Sequence, residues 1–575
     1  MKQNIQLFQR SSSLWEKFLD SNPQLFRELK GKLKTRNVII AAAVSIITQF
    51  VIAIALLGDL PDIDSEGKIN TIYGRYGMGF ANGYHDILAY TQDMSGNWII
   101  NWQLLWLDLF IALSIISIMA LTIAGTYMLV ADLVKEEDRG TFNFIRLTPQ
   151  SAGNILLGKI LGVPILLYIT VLMFFPLHLV SGLGASIPLT SIVGFDAIIV
   201  ASCGFYYSLA LLWSLINLGS SGFKPWLATG AVCLFAILTT TALFHNSYLI
   251  SNTLWDWLYL FNPTIVLSYL IDATYLPVHK IDFLPATSLG ELSFYGQALW
   301  TKASLGMGFI LFNFSLATYW IWSVLKRRFH NQDRTLFSKT QSYWITSWFT
   351  AIALGFTLQN HSPSKTGNFI ILQCSLYVLG LVSIAALSPH RQALHDWARY
   401  RHQVSKNGKV LWKELIFGEN SPAVVAVAIN MAIAVIYIIP SVFIILDRDA
   451  AHICGGLILG ANSIVFCASI AQLVLTMKTR KRAVWSAFSV FAVTIVPPLC
   501  LGIAEIYPDT TPQLWLFSFI PTITTEYATL SGIFLAIVGQ CIAISTLGFI
   551  MTKKLNQAGK SETKILFERT KAISR

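Results

Sequence analysis

Apolar residues along this chain recur in runs of about twenty, long enough for a helix to cross a roughly 30 Å hydrocarbon core. Twelve such runs are legible, at about 37–57, 105–131, 157–181, 192–217, 225–245, 303–325, 342–357, 368–388, 422–446, 450–477, 483–504 and 530–552. The seventh is short. The pattern predicts an all-α, polytopic membrane protein with about twelve transmembrane helices. The first run follows a charged segment with no cleavage-like site, so it is not expected to be a signal peptide. Two polar interruptions have structure of their own. Residues 21–36, "SNPQLFRELKGKLKTR", place Leu25, Phe26, Leu29 and Leu33 on one helical face and Arg27, Lys30 and Lys34 elsewhere. Ser21 or Asn22 can cap this helix, with Pro23 in its first position. It is expected to lie on the membrane surface just before the first span. Residues 134–159, "VKEEDRGTFNFIRLTPQSAGNILLGK", set a charged cluster, a Gly-Thr step, a short amphipathic piece and a Thr-Pro step between two apolar runs.

Composition agrees with this reading. Hydrophobic residues are 54% of the chain and charged residues 12%, where a soluble domain is about a quarter charged. The net charge of +11 is distributed by side. With the N-terminus inside, the outward segments hold only Lys68, Arg75, Lys280, Lys302, Lys365 and Arg448, which leaves 35 of the 41 basic residues facing inward. That asymmetry orients a membrane protein and attracts anionic lipid. It argues against nucleic-acid binding, because the basic residues are scattered over several loops rather than gathered on one surface. Both termini are therefore expected in the cytosol.

Two short segments match at a distance. "LYLFNPTI" (258–265) precedes the sixth run and "LFSFIPTI" (516–523) the twelfth. The loop 389–421 ends in Ser421-Pro422 entering an apolar helix, as Thr148-Pro149 does earlier. Together these predict two related six-helix halves, 1–339 and 340–575, the second divergent and ending in a cytosolic tail. Paired repeats are common in transporters.

Catalytic chemistry is sparse. There is no G-x-x-x-x-G-K-[ST] phosphate loop and no H-E-x-x-H motif, so no catalytic, cofactor or metal residue is assigned. His390, His395 and His402 are spaced five and seven apart, unlike zinc ligands on a helix, and Tyr84-His85-Asp86 reads as a surface cluster. The seven cysteines all fall inside predicted spans and read as small packing residues. The ionisable residues within spans are Asp108, Asp196 and His178. Such groups are functional candidates, although a capping or snorkelling role fits their depth equally. Gln49, Asn313, Asn430, Asn462 and Gln540 can line a path or bond between helices. No chain of carboxylates forms a proton relay.

In residues 134–159 the sequence resembles the type-2 ATP-binding-cassette (ABC) transporter permease family. That family carries E-[RK]-[DE]-x-G-T after its second span, then a short helix, a [ST]-P step and L-G-K. Its elbow before the first span reads N-P-x-L-x-[RK]-E-L-[RK], here "NPQLFRELK". The resemblance implies an ATPase-coupling segment built on Glu136, Glu137, Asp138, Arg139, Gly140, Thr141, Thr148 and Pro149. It also implies an interfacial elbow with Pro23, Arg27, Glu28 and Lys30. Gly140 would let the chain turn at the end of the span, and Thr148 would cap the next helix. The implied protein is a permease subunit, an exporter of a bacterial plasma (inner) membrane. ATP would be bound and hydrolysed by separate ABC ATPase subunits, and the other partners would be membrane lipid and an unknown transported substrate. In the second half, 389–421 holds the corresponding place without the charged Gly-Thr signature. The alternatives are a membrane-embedded transferase acting on lipid-linked substrates and an ion-coupled carrier.

Overall fold

The computed structural model describes residues 22–61, 74–81, 84–216, 221–245, 253–274, 276, 289–331, 334–358, 364–404, 408–446 and 449–559. Ser21, residues 62–73 and the basic tail from 560 onward lie outside them. The described chain is almost wholly helical, with three two-stranded hairpins. Among the described residues, ten helices are long and apolar enough to cross a membrane, where the sequence predicts about twelve. The chain divides into two compact units. The first takes in most of the chain to His330, and the second the residues from Asn331 on, together with short pieces of the first half such as Ser293–Gln297. Leu336 N–H donates to the Ala386 carbonyl at 2.9 Å, which ties the connecting segment to the second unit.

The first unit opens with α1 (Pro23–Lys32) and α2 (Thr35–Gly58). β1 (Gly79–Ala81) pairs antiparallel with β2 (Tyr84–Ala89), and β3 (Thr91–Gln92) with β4 (Trp98–Ile99). A long helix, α3 (Trp102–Asp138), follows, with a π-helical turn at Ala120–Ala124. The wider turn exposes the Leu121 carbonyl, which accepts a 2.8 Å hydrogen bond from the Tyr207 hydroxyl. Only a glycine at 125 admits that ring, because a Cβ there would lie 2.2 Å from the hydroxyl. Such bulges often mark functional places in a helix.

After α3 come α4 (Thr141–Arg146), α5 (Ala152–Gly162) and α6 (Ile165–Gly184). The third span therefore starts at 165, not 157, and "ILLGK" belongs to a separate short helix. α7 (Leu189–Leu215), α8 (Lys224–His245) and α9 (Ala303–His330) complete the unit. α8 is not among the ten; it opens on Lys224-Pro225 and carries three threonines at 239–241. The Asn262-Pro263-Thr264 turn is bound to it. Asn262 Nδ2 donates to the Thr239 and Thr240 hydroxyls at 2.8 and 2.9 Å, while Oδ1 accepts from Thr264.

The second unit holds α10 (Lys339–Thr357), α11 (Lys365–Leu387), α12 (Arg391–Val404) and α13 (Gly408–Phe417). α14 (Val424–Ile445), α15 (Ala450–Leu475), α16 (Arg482–Ile503) and α17 (Leu530–Gly559) follow. α10 is not among the ten either, because Ser342, Thr346 and Thr350 form a buried polar stripe at four-residue spacing. The core is apolar, with Ile384, Val427, Met431 and Ile464 buried together. Here the Pro521-Thr522 turn is held by Gln373, whose Oε1 accepts from Thr522 N–H at 3.2 Å while its Nε2 donates to the Gly456 carbonyl at 2.7 Å. Each unit thus pins its Pro-Thr-Ile turn through a side-chain amide.

Candidate functional site

The surface helix α1 is capped by Asn22, whose Oδ1 accepts from Leu25 N–H at 3.1 Å. Pro23 is its first residue, where a missing N–H costs nothing. Its seating divides the expected apolar face. Gln24, Leu25 and Glu28 are buried, while Phe26 and Leu33 are exposed. The cause lies in α5, where Gly158 and Gly162 leave a shallow track. A Cβ on Gly158 would lie 2.9 Å from Leu25 N, and one on Gly162 would lie 2.5 Å from Glu28 Cβ. Asn22 Nδ2 donates to the Asn154 carbonyl at 2.8 Å, and Lys32 Nζ to the Val163 carbonyl at 3.0 Å. Gln24, Leu25 and Glu28 of α1 therefore turn inward onto α5, while Arg27 and Lys30 stay exposed.

At the centre of that contact is Lys159, with no exposed surface. Its ammonium lies 2.9 Å from Glu28 Oε1, 2.6 Å from Asp132 Oδ2 and 2.7 Å from Glu136 Oε1. Arg27 pairs with Glu136, and Lys32 sits 3.3 Å from Glu28. Burial alone pushes the Glu28 carboxyl up, but the Lys159 and Lys32 ammonium groups outweigh it and hold it below the ordinary value. The three carboxylates are the one set among the described residues with oxygens close enough for a metal ion. The Lys159 ammonium bonds all three and supplies the cation itself. This clasp joins α1, the end of α3 and α5. Sequence reasoning missed Asp132 and the central role of Lys159. The spacing of Asp132 and Glu136, four residues apart on one face, was the available signal.

Between the clasped ends stands the segment the resemblance singles out. Glu136 faces inward into the clasp, and Glu137 approaches the buried Lys224 ammonium at 3.6 Å. Asp138 and Arg139 are exposed. Gly140 turns the chain with φ +69°, in the left-handed region that suits glycine. The Thr141 hydroxyl donates to the Glu136 carbonyl at 3.1 Å. α4 then divides its apolar residues. Phe142 and Ile145 are buried, with Phe142 edge-on to Phe329 of α9 at 5.9 Å, whereas Phe144 and Leu147 are 74% and 83% exposed. Thr148 does not cap the next helix. Its hydroxyl donates to the Ile145 carbonyl at 2.7 Å, closing α4, and Ser151 caps α5 through Asn154 N–H. Pro149 is an exposed residue of that connection, and Lys30 of α1 is exposed with its ammonium 5.8 Å from the Phe26 ring.

Of the intramembrane candidates, His178 and Asp196 come together, while Asp108 bonds elsewhere. Asp108 takes a two-pronged bond from Arg75 at 2.6 and 2.7 Å and one from the Tyr76 hydroxyl, pinning the extramembrane segment to the start of α3. His178 stacks on Phe110 at 4.4 Å, with Ser114 Oγ 3.0 Å from Nε2 and Asp196 3.8 Å from Nδ1. Asn313 accepts from Trp257 at 3.0 Å, and Asn430 donates to Ser342 at 3.1 Å. These last two are bonds between helices. Cys203, Cys454 and Cys467 are buried, and Cys500 and Cys541 are exposed on their helices. His390 and His395 lie at α12, and the side chains of Tyr84, His85, Asp86 and His402 lie outside the described residues.

In the second unit, Glu414 accepts from Trp397 Nε1 at 3.0 Å. The buried ammonium of Lys339 donates to Ser421 Oγ at 2.6 Å and to the carbonyls of Leu415 and Pro422 at 2.7 and 3.0 Å. A buried lysine braces the 408–422 loop too, but through neutral oxygens.

Comparison with known proteins finds no matching family model, no matching curated protein and no matching solved structure. The chain is thus defined by its own architecture: an apolar, helical, integral membrane protein.

Proposed function

We propose that this chain is the membrane-spanning permease subunit of a type-2 ABC transporter, an exporter whose ATP is hydrolysed by a separate ATPase subunit. In this reading it sits in a bacterial plasma membrane with both termini in the cytosol. The observation that carries the reading is the α4 tip. Phe144 and Leu147 are exposed on and just after a six-residue helix whose two flanks, α3 and α5, are locked together by Lys159. Two large apolar residues exposed together on a polar segment offer a surface for a partner. A tip fixed rigidly to a span converts a push from a soluble motor into movement of the span.

The coupling residues then divide by task. Asp138, Arg139, Phe144 and Leu147 meet the ATPase. Glu136, with Arg27 and Glu28 of the elbow, holds the tip to the membrane helices. Gly140, Thr141, Thr148 and Pro149 shape it. The test is capture of the ATPase by the tagged chain. Phe144→Ser with Leu147→Ser should leave expression and thermal stability near normal, since both side chains are already solvated, while capture and transport fall at least tenfold. Undiminished capture and transport would remove the coupling role from α4.

A further inference from the structure

The second unit contains a crevice of about 590 Å³ between α11, α15 and α16, within the range of ligand sites, about 300–1,000 Å³. Its interior offers no free polar group. The lining hydroxyls are used within the protein: Ser388 donates to the Ile384 carbonyl at 2.6 Å, Ser486 to the Ala471 carbonyl at 3.3 Å, and Thr494 bonds Tyr377 at 3.1 Å. The rest of the wall is Leu, Ile, Val, Ala, Phe and Pro389. At one end the lining changes to His390, Arg391 and Arg482. Arg391 is fixed there by its Nε bond to the Thr476 carbonyl at 3.1 Å. Arg482 ends the run Lys478-Thr479-Arg480-Lys481-Arg482. No carboxylate is among the lining residues. From Arg482 to Ile495 the helix α16 rises about 20 Å, and its small residues Ala483 and Ala487 open the crevice sideways, on a helix that buries little of its surface.

We infer that this crevice is a binding site for an anionic phospholipid. One acyl chain fills the apolar slot between α11, α15 and α16, and the phosphate sits between Arg391 and Arg482. The shape excludes a wholly polar anion, which would leave the slot empty. The paired guanidinium groups distinguish an anionic headgroup from a zwitterionic one, because basic groups at a membrane surface attract anionic lipid and arginine suits phosphate geometry. The site lies at the basic end of the helices, where the leaflet facing the positive loops supplies such lipid. It is independent of the permease reading, so it can stand or fall separately.

The experiment is lipid titration of the delipidated full chain in detergent, read by native mass spectrometry. Phosphatidylglycerol is compared with phosphatidylcholine of the same acyl chains, and with inorganic phosphate. The first phosphatidylglycerol should bind at least about fivefold more tightly than phosphatidylcholine, and phosphate alone should not compete. Arg391→Gln with Arg482→Gln should abolish that preference. Lys553→Gln with Lys554→Gln, an equal charge loss on exposed residues of α17, should keep it. Ala487→Trp, on the exposed opening, should lower occupancy by both lipids, and it decides the matter should the arginine variant not fold. Equal affinity for the two lipids, competition by phosphate alone, an unchanged preference in the arginine variant, or equal loss in the Lys553/Lys554 variant would each overturn the site. So would full occupancy in Ala487→Trp.

Discussion

Lys159 and Glu28 are 131 residues apart in sequence, and their side chains meet at 2.9 Å in the interior of the first unit. The pair closes a loop that contains the first two spans. It fixes the surface helix to the helix after α4, with Asp132 and Glu136 completing the ammonium's surroundings. A buried ion pair adds little net stability, but removing one partner leaves an uncompensated charge, at a cost of about 3–5 kcal/mol.

Lys159→Met should therefore destabilise the protein strongly. Thermal unfolding in detergent should shift down by several degrees, and α1 should become accessible to protease. Asp138→Ala, at an exposed position, should change stability by less than about 0.5 kcal/mol. A Lys159→Met protein as stable as the parent would show that the clasp carries no structural weight.

Gly162 should tolerate no side chain. A Cβ there meets Glu28 Cβ at 2.5 Å, an atom fixed to the α1 backbone rather than the end of a flexible side chain. Gly162→Ala should cost about 1–3 kcal/mol through overpacking and lift α1 from its track. The distance between spin labels at Lys30 and Asp138, both exposed in the first unit and introduced as cysteines, should then lengthen. A distance unchanged by Gly162→Ala, with unchanged stability, would contradict the close approach.

The clasp should respond to acid. Glu28 is held below its ordinary pKa of 4.5, so the folded state binds its proton less readily than the unfolded chain. The associated stability is fully present above about pH 4.5 and is lost as pH falls through the lowered folded value. Unfolding measured from pH 6 to pH 3 should show this loss, and Glu28→Gln should reduce the slope. An identical slope in the variant would assign the acid sensitivity elsewhere.

Much of this was legible in the chain, and the failures share one cause. Run length placed the long helices, since about twenty apolar residues need little context to be helical in lipid. Asn22, Pro23 and Gly140 stand where local backbone chemistry puts them. What could not be read was which face of α1 turns inward. Periodicity put Leu25, Phe26, Leu29 and Leu33 together, but the glycine track at 158 and 162 and the Lys159 ammonium, more than 130 residues away, decide for Gln24, Leu25 and Glu28. For the same reason Glu136 reads in sequence as one of five adjacent charges, and only the fold separates it from exposed Asp138. Thr148 and Ser151 are both competent caps in sequence; α5 starts at Ala152, so Ser151 takes the role.

Orientation has its own test. In a cysteine-free background, Ser95→Cys should react with a membrane-impermeant maleimide added to intact cells, and Asp138→Cys should react only after lysis. Both positions are exposed, so burial does not mask either. The reverse pattern would place α4 outside the cell and end the coupling proposal.

The most direct test of the permease reading is ATP hydrolysis by the tagged chain, purified from its native membrane in mild detergent and then stripped to the single polypeptide. The initial preparation should contain a second protein bearing a phosphate loop and hydrolyse ATP, and the stripped chain should do neither. The Phe144→Ser, Leu147→Ser preparation should lack the second protein from the start. ATP turnover by the stripped chain, or vectorial transport in reconstituted vesicles containing this chain alone, would contradict the permease reading.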